Sequence, residues 1–201
     1  MAATLPFSVV APGLMVFAVL LLAIYTATTL VREVETRSLA RYRTSGAGLG
    51  PLLGGTVAAQ LLLAAVAFVL MLGSALAMGL HVKGDLLAAL TVVVLTSLAS
   101  IGVGLGVAAF VRRREDATNL ALFVMLPMGF LNGGFFPLPD WSPALEDFLP
   151  AKHAVDALRE IIAGAGFAQV ATDLLWLAGL GLATLTAGTL LFWSRRYRTA
   201  T

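Results

Sequence analysis

Long uncharged apolar stretches recur along this chain, each closed by a short cluster of charged or helix-breaking positions. The first runs from Val9 to Leu30, with Pro12 and Gly13 near its start, where a missing backbone donor costs a helix little. A second extends from about Leu52 to Leu80 and a third from Leu86 to Val111. Only His81-Val82-Lys83-Gly84-Asp85 separates those two, which predicts a tight helical hairpin. A fourth begins at Ala117, after Arg112-Arg113-Arg114-Glu115-Asp116. It loses helical continuity by Asn132-Gly133-Gly134 and Pro137-Leu138-Pro139, so it predicts a short or incomplete span. The last run ends in Arg195, Arg196 and Arg198. At about 1.5 Å per residue, such runs suit a hydrocarbon core of about 30 Å. The expected spans are therefore about 9–30, 52–80, 86–111, 117–133 and 170–193.

Two segments between the runs have a different period. On a helix, Val31, Val34, Leu39 and Tyr42 fall within an arc of about 140°, with Arg32, Arg37, Arg41 and Arg43 around the rest. This predicts an amphipathic helix over about 32–43, read either as a basic anchor at anionic headgroups or as a protein contact. Glu35 lies inside the apolar arc, so it pairs with a neighbouring Arg or meets a protein partner. Within Trp141 to Gly166, Ser142-Pro143 offers a helix start, and Ala154, Val155, Leu158, Ile161 and Ile162 recur at helical spacing, as in an interfacial amphipathic helix. The predicted fold is an all-α membrane protein: one domain over 1–201, a helical bundle of about five transmembrane helices. It carries a cytoplasmic amphipathic helix and a re-entrant and interfacial outer segment over about 133–166.

Composition agrees. The chain is 59% hydrophobic and 12% charged, against about 25% charged in soluble domains, so lipid is the solvent for most of its surface. Cys is absent, which excludes a disulfide framework, a thiolate metal site and a cysteine nucleophile. The net charge of +2 matters less than its sorting, and nothing calls for nucleic acid as a partner. If 32–43 is cytoplasmic, alternation places 112–114 and 195–198 on the same side, giving it ten basic residues. The other side holds only Lys83, Lys152 and Arg159. The positive-inside rule then sets the N-terminus outside and the C-terminus in the cytoplasm. A signal peptide is not expected, because Met1 to Ser8 has no positive charge and the following apolar run is too long.

Chemistry-bearing residues are few. Phe130-Leu131-Asn132-Gly133-Gly134-Phe135-Phe136-Pro137-Leu138 breaks a helix between aromatic residues, either as an aromatic belt with a turn or as non-helical backbone buried in protein. Leu149 to Arg159, taken alone, is a solvated outer helix. His81 and His153 have no Cys or carboxylate at ligand spacing, so they are expected to be surface histidines without a metal. Gly102, Gly104 and Gly106 sit inside a span, where small residues let helices approach. Gln60 and Asn119 are polar groups within apolar runs, candidates to line a cargo path or to bond between helices.

Taken together, these segments resemble the permeases of type-2 ABC exporters, bacterial membrane subunits for drugs, lipids, glycans and other cargo. In that family a span opening near Pro-Gly leads into an Arg-Glu-x-Glu-x-Gly-Thr-Leu-type segment, matched by Arg32, Glu33, Glu35, Ser38, Leu39 and Arg41. Arg37 stands where the family usually has Gly, and Gly46 where it often has Pro. A later Phe-Leu-Ser-Gly-x-Phe-Phe-Pro element is matched by Phe130, Leu131, Asn132, Gly133, Phe135, Phe136 and Pro137, with Asn132 replacing Ser. Leu149, Pro150, His153, Ala154, Leu158 and Arg159 match the points that follow.

The resemblance implies coupling to an ATPase through Arg32, Glu33, Glu35, Arg37, Leu39, Arg41 and Arg43. A helix break, two adjacent glycines and aromatic rings coinciding at the outer leaflet make an outer gate the expectation at Phe130, Asn132, Gly133, Gly134, Phe135, Phe136 and Pro137. There, Gly133 and Gly134 would allow close packing or a positive φ. Members usually have six spans, so the first is expected to be missing here. The implied partners are an ABC ATPase subunit, a second permease copy (homodimer or heterodimer) and the lipid bilayer, at a bacterial plasma membrane. No G-x-x-x-x-G-K-[ST] loop occurs, so this chain is expected to bind no cofactor and catalyse nothing, with Mg-ATP held by the partner. The rivals are an ion-coupled transporter, for which only Asp173 lies near a span, an intramembrane enzyme, and a non-transporting assembly scaffold.

Overall fold

The computed structural model describes residues 7–36, 50–134 and 148–197, and these form helices joined by short turns with no strand among them. In chain order the helices are α1 (Phe7–Glu35), α2 (Gly50–Ala77), α3 (Leu86–Phe110), α4 (Arg114–Phe130), α5 (Pro150–Ala163) and α6 (Ala171–Phe192). A π-helical turn, Trp193–Tyr197, extends α6. Their boundaries have local causes. Asp85 caps α3, its Oδ1 accepting the Leu87 N–H at 2.8 Å. Pro150 opens α5, where its missing donor is harmless, and Gly164 closes it at φ 123° while donating to the carbonyls of Glu160 and Ile161. The start expected at Ser142-Pro143 lies outside the described residues.

Among the described residues four helices, not five, are long and apolar enough to cross a membrane: Val10–Glu35, Gly50–Ala77, Leu86–Phe110 and Ala171–Arg195. The fourth expected span, α4, has 17 residues and reaches about 26 Å, short of a hydrocarbon core of about 30 Å. Pro127 lies inside it, and its C-cap Leu131 donates back to the Pro127 carbonyl at 2.8 Å. At the other end of the chain, α1 begins at Phe7, which puts Pro12 inside the helix and not at its opening turn.

The bundle has two inner and two outer long helices. The spanning windows of α1 and α3 are each 56% buried, against 22% for α2 and 17% for α6. The latter two therefore turn side chains such as Leu62, Val69, Leu175 and Leu190 outward, which lipid accommodates and water would not. Close crossings are made by small residues. A Cβ on Gly102 would run into the backbone of Thr184 and Leu185 on α6, and one on Gly188 into the Gly102 carbonyl. Gly104 lies against Ala23 and Thr26 of α1, whereas Gly106 faces open space.

The hairpin between α2 and α3 turns at Gly79, with φ 93°, and seats its loop on α5. Lys83 N–H donates to Ile162 O at 3.3 Å and Asp85 N–H to Ala165 O at 3.4 Å. A side chain on Gly84 would collide with both carbonyls at Ile161 and Ala165. This loop, α5, the end of α4 and the starts of α1 and α6 thus gather at one end of the bundle. Glu35, Arg114, Phe110 and Arg195 gather at the other.

Candidate functional site

The turn after α4 is built from three residues. Asn132 is fully buried and its Oδ1 accepts the Gly134 N–H at 2.7 Å, an Asx-type closure of the backbone. Gly133 between them has φ 70°, a conformation that glycine adopts without steric penalty. Gly134 then meets α1 backbone to backbone: a Cβ there would lie 2.5 Å from Gly13 Cα, and one on Gly13 would lie 2.7 Å from Gly134 Cα. One turn along α1, the Phe17 ring fills the space over Gly129 and sits 5.9 Å from the Phe130 ring at a tilt of 44°.

The turn is clamped from its other side by α5. Arg159 donates from Nη2 to the Gly133 carbonyl at 2.7 Å, and its Nη1 lies 3.7 Å from Asp156 Oδ1. A carbonyl freed by the helix break thus receives a charged donor. Burial pushes the Asp156 carboxyl above its usual range, an effect opposed by the Lys152 and Arg159 charges. The Asn132 Nδ2 finds no partner among the described residues. Phe135, Phe136 and Pro137 lie outside them.

α5 is not solvated all round, as Leu149 to Arg159 taken alone would be, and the apolar face of the expected interfacial helix is covered by protein. The helix packs against α1, α3 and α6, and its buried residues include Ala151, His153, Ala154, Val155, Ala157, Leu158 and Ile161. His153, expected on the surface, is 5% exposed. Its Nδ1 is 2.8 Å from Asp173 Oδ1 at the start of α6, and its ring stacks on Trp176 at 5.6 Å and 5°. Apolar spacing could not place it, because the buried arc covers more than half the helix and His153 sits at its edge. No group of three or more His, Asp or Glu suited to a metal ion occurs among the described residues.

At the opposite end, the helix expected over 32–43 does not start afresh after Leu30: Arg32, Glu33 and Glu35 belong to the last turns of α1. Leu30 and Val31 are fully buried, and Val34 packs beside them. Glu35, in the apolar arc, is exposed and pairs with no Arg side chain among the described contacts; its Oε1 accepts the backbone N–H of Arg114 at 2.9 Å. Arg37, Leu39, Arg41 and Arg43 lie outside the described residues. Nearby, the Arg195 guanidinium rests 4.3 Å from the centre of the Phe110 ring.

The two polar residues of the apolar runs part company. Gln60 is fully buried, and its Oε1 accepts from the Thr26 hydroxyl across the α1–α2 contact. Asn119 is exposed on α4. On the face of α1 away from the turn, an apolar cleft of about 280 Å³ opens against α2, lined by Leu14, Met15, Leu70, Met71, Ala75 and Met78.

Sequence reasoning missed Gly13 as the seat of the turn and Asp173 as the partner of His153. The Pro12-Gly13 pair was the available signal for the first; nothing marked the second.

An all-α, multi-pass bundle whose penultimate long segment stops short in a buried glycine turn defines a class of membrane protein, and comparison places it further. Residues 5–190 match the family described as ABC-2 family transporter protein. The chain belongs to that family. It is 31% identical over 178 residues to a daunorubicin resistance ABC transporter permease protein of Streptomyces coeruleorubidus, covering 84% of this chain and 62% of the relative. It is 32% identical over 147 residues to ABC transporter G family member 20 of Dictyostelium discoideum, covering 68% of this chain and 19% of that one. A linearmycin resistance permease protein of Bacillus subtilis is 33% identical over 103 residues, covering 50% of this chain and 26% of that one. The chain thus spans less than two thirds of the length of each of these curated relatives.

Proposed function

We propose that this chain is the membrane permease subunit of an ATP-driven exporter. The observation that carries the reading is the family match over residues 5–190. An ABC ATPase, holding Mg-ATP, binds at the basic end of the bundle, which faces the cytoplasm of a bacterial cell. It engages the segment around Arg32, Glu33, Glu35, Arg37, Leu39, Arg41 and Arg43. A second permease copy, identical or related, completes the path. The turn at Asn132–Gly134, with Phe130, Phe135, Phe136 and Pro137, closes the outer end between cycles. Cargo of the drug or lipid type is consistent with the daunorubicin resistance and linearmycin resistance that two relatives carry in their names.

The test is reconstitution with an ABC ATPase co-purified from the same organism, measuring cargo export per ATP hydrolysed. Leu39→Asp places a charge in the apolar stripe and is expected to abolish ATPase association while insertion stays intact. Phe135→Ala with Phe136→Ala is expected to keep association but lower export per ATP and admit a leak. Unchanged association in the first variant sinks the coupling assignment. An unchanged ratio without leak in the second sinks the gate. An ATPase that never co-purifies with the parental chain sinks the permease reading itself.

A further inference from the structure

α4 begins without a side chain of its own to cap it. Its N-cap, Arg113, has the extended backbone expected there, φ −109° and ψ 141°, but makes no side-chain cap bond. The first amides of a helix have no intrahelical acceptor, and the Arg114 N–H is one of them. Its acceptor comes from another helix, as the Glu35 carboxylate in the last turn of α1, 2.9 Å away.

Glu35 is poorly placed for its own helix. A carboxylate at a helix C-terminus opposes the macrodipole, whereas at an N-terminus it complements it. α1 ends in Val34-Glu35, so the residue disfavours the helix that carries it and favours the one it touches. Charge alone does not explain the contact, because α4 already carries Glu115 and Asp116 in its first turn. What Glu35 adds is a directed bond between two helices at the point where the chain leaves the membrane.

The consequence follows from what each helix leads to. The last turn of α1 carries Arg32, Glu33 and Glu35, the first residues of the segment that contacts the ATPase in the proposed function, and α4 ends at the Asn132–Gly134 turn. The two are already joined at the turn end, where Gly13 meets Gly134 and Phe17 covers Gly129. Glu35 closes the pair at the basic end. We propose that Glu35 is the positioning residue that hooks α4 to the coupling segment, so that α1 and α4 move as one body and the ATPase stroke reaches the turn. This rests on the permease reading.

The experiment removes the donor as well as the acceptor. Arg114 is the first residue of α4, a position where Pro is well tolerated, and Arg113 already has the extended conformation a following Pro requires. Arg114→Pro therefore deletes the N–H that Glu35 accepts while leaving the helix intact, and Arg114→Ala keeps it. Amide hydrogen exchange at the start of α4 is measured in nanodiscs, and export per ATP in the complex with the ATPase. Glu35→Ala is expected to speed exchange at Arg114 by about tenfold, the loss of one cap. Glu35→Ala and Arg114→Pro should each lower export per ATP by a similar factor, with no further loss in the double variant. Arg114→Ala should stay near the parent and Glu35→Gln, which retains an acceptor, between.

If Glu35→Ala impairs export and Arg114→Pro does not, Glu35 acts elsewhere and the proposal is overturned. Unchanged exchange in Glu35→Ala overturns the hook itself, a result that needs no ATPase. A parental chain that binds no ATPase defeats the permease reading before any variant is compared, and the transmitting role falls with it.

Discussion

Gly13 and Gly134 meet where no side chain fits, and each has the other's backbone as its nearest neighbour. Neither atom set is a flexible side-chain tip that could swing away. Gly134→Ala is therefore expected to lower the stability of the purified protein by about 1–3 kcal/mol, the usual cost of overpacking. Gly73→Ala, with nothing within 4 Å of the new methyl group, serves as the control and is expected to be neutral or slightly stabilising. Thermal unfolding in one detergent reads both; equal melting temperatures would mean that the turn lifts off α1 freely. The sequence marked Gly133 and Gly134 as positions needing a positive φ or close packing, and the structure assigns one need to each. Gly13 was harder to read, because a glycine after proline near a helix start has a local explanation that needs no partner across the bundle.

Elements were legible to the extent that their burial is one-sided or uniform. The long apolar runs became α1, α2, α3 and α6; Asp85 caps α3 where its run was expected to begin, whereas α1 continues past Leu30 to Glu35. α5 was recognisable as a helix from Ala154, Val155, Leu158, Ile161 and Ile162, but not as an inner one. An amphipathic pattern records how much of a helix is apolar and says nothing of whether protein or headgroups lie against it. The α3–α6 crossing belongs to this scale. Gly102 and Gly188 bring the two backbones together, while Gly106 points into open space. Gly102→Val is expected to destabilise the bundle, and Gly106→Ala to leave it unchanged. Comparable losses from both would show that the glycines serve helix flexibility and not close packing.

At the scale of the whole molecule, the expected orientation has a direct test, since the chain contains no native Cys. The hairpin at Lys83 and the turn at Gly134 share one end of the bundle, while Glu35 and Arg114 share the other. Single cysteines at Ser45, Lys83, Glu115 and Glu146 are to be labelled with an impermeant thiol reagent in intact cells. Positions 83 and 146 are expected to react, and 45 and 115 only after permeabilisation. The reverse pattern would invert the molecule and place the Glu35 hook outside.

The sequence by itself determined the solvent, the helical character of the apolar runs and the family pattern. Apolar runs long enough for a bilayer leave a chain little alternative, and each run reports its own length without reference to its neighbours. Only the tertiary structure decided that the glycine turn is seated on Gly13, that His153 is paired with Asp173 and that Glu35 bonds to Arg114. Each of these joins residues far apart in the chain. Hydropathy is a property of single segments, whereas a contact depends on which faces two helices present to each other. In lipid, apolar faces look alike until another helix covers them.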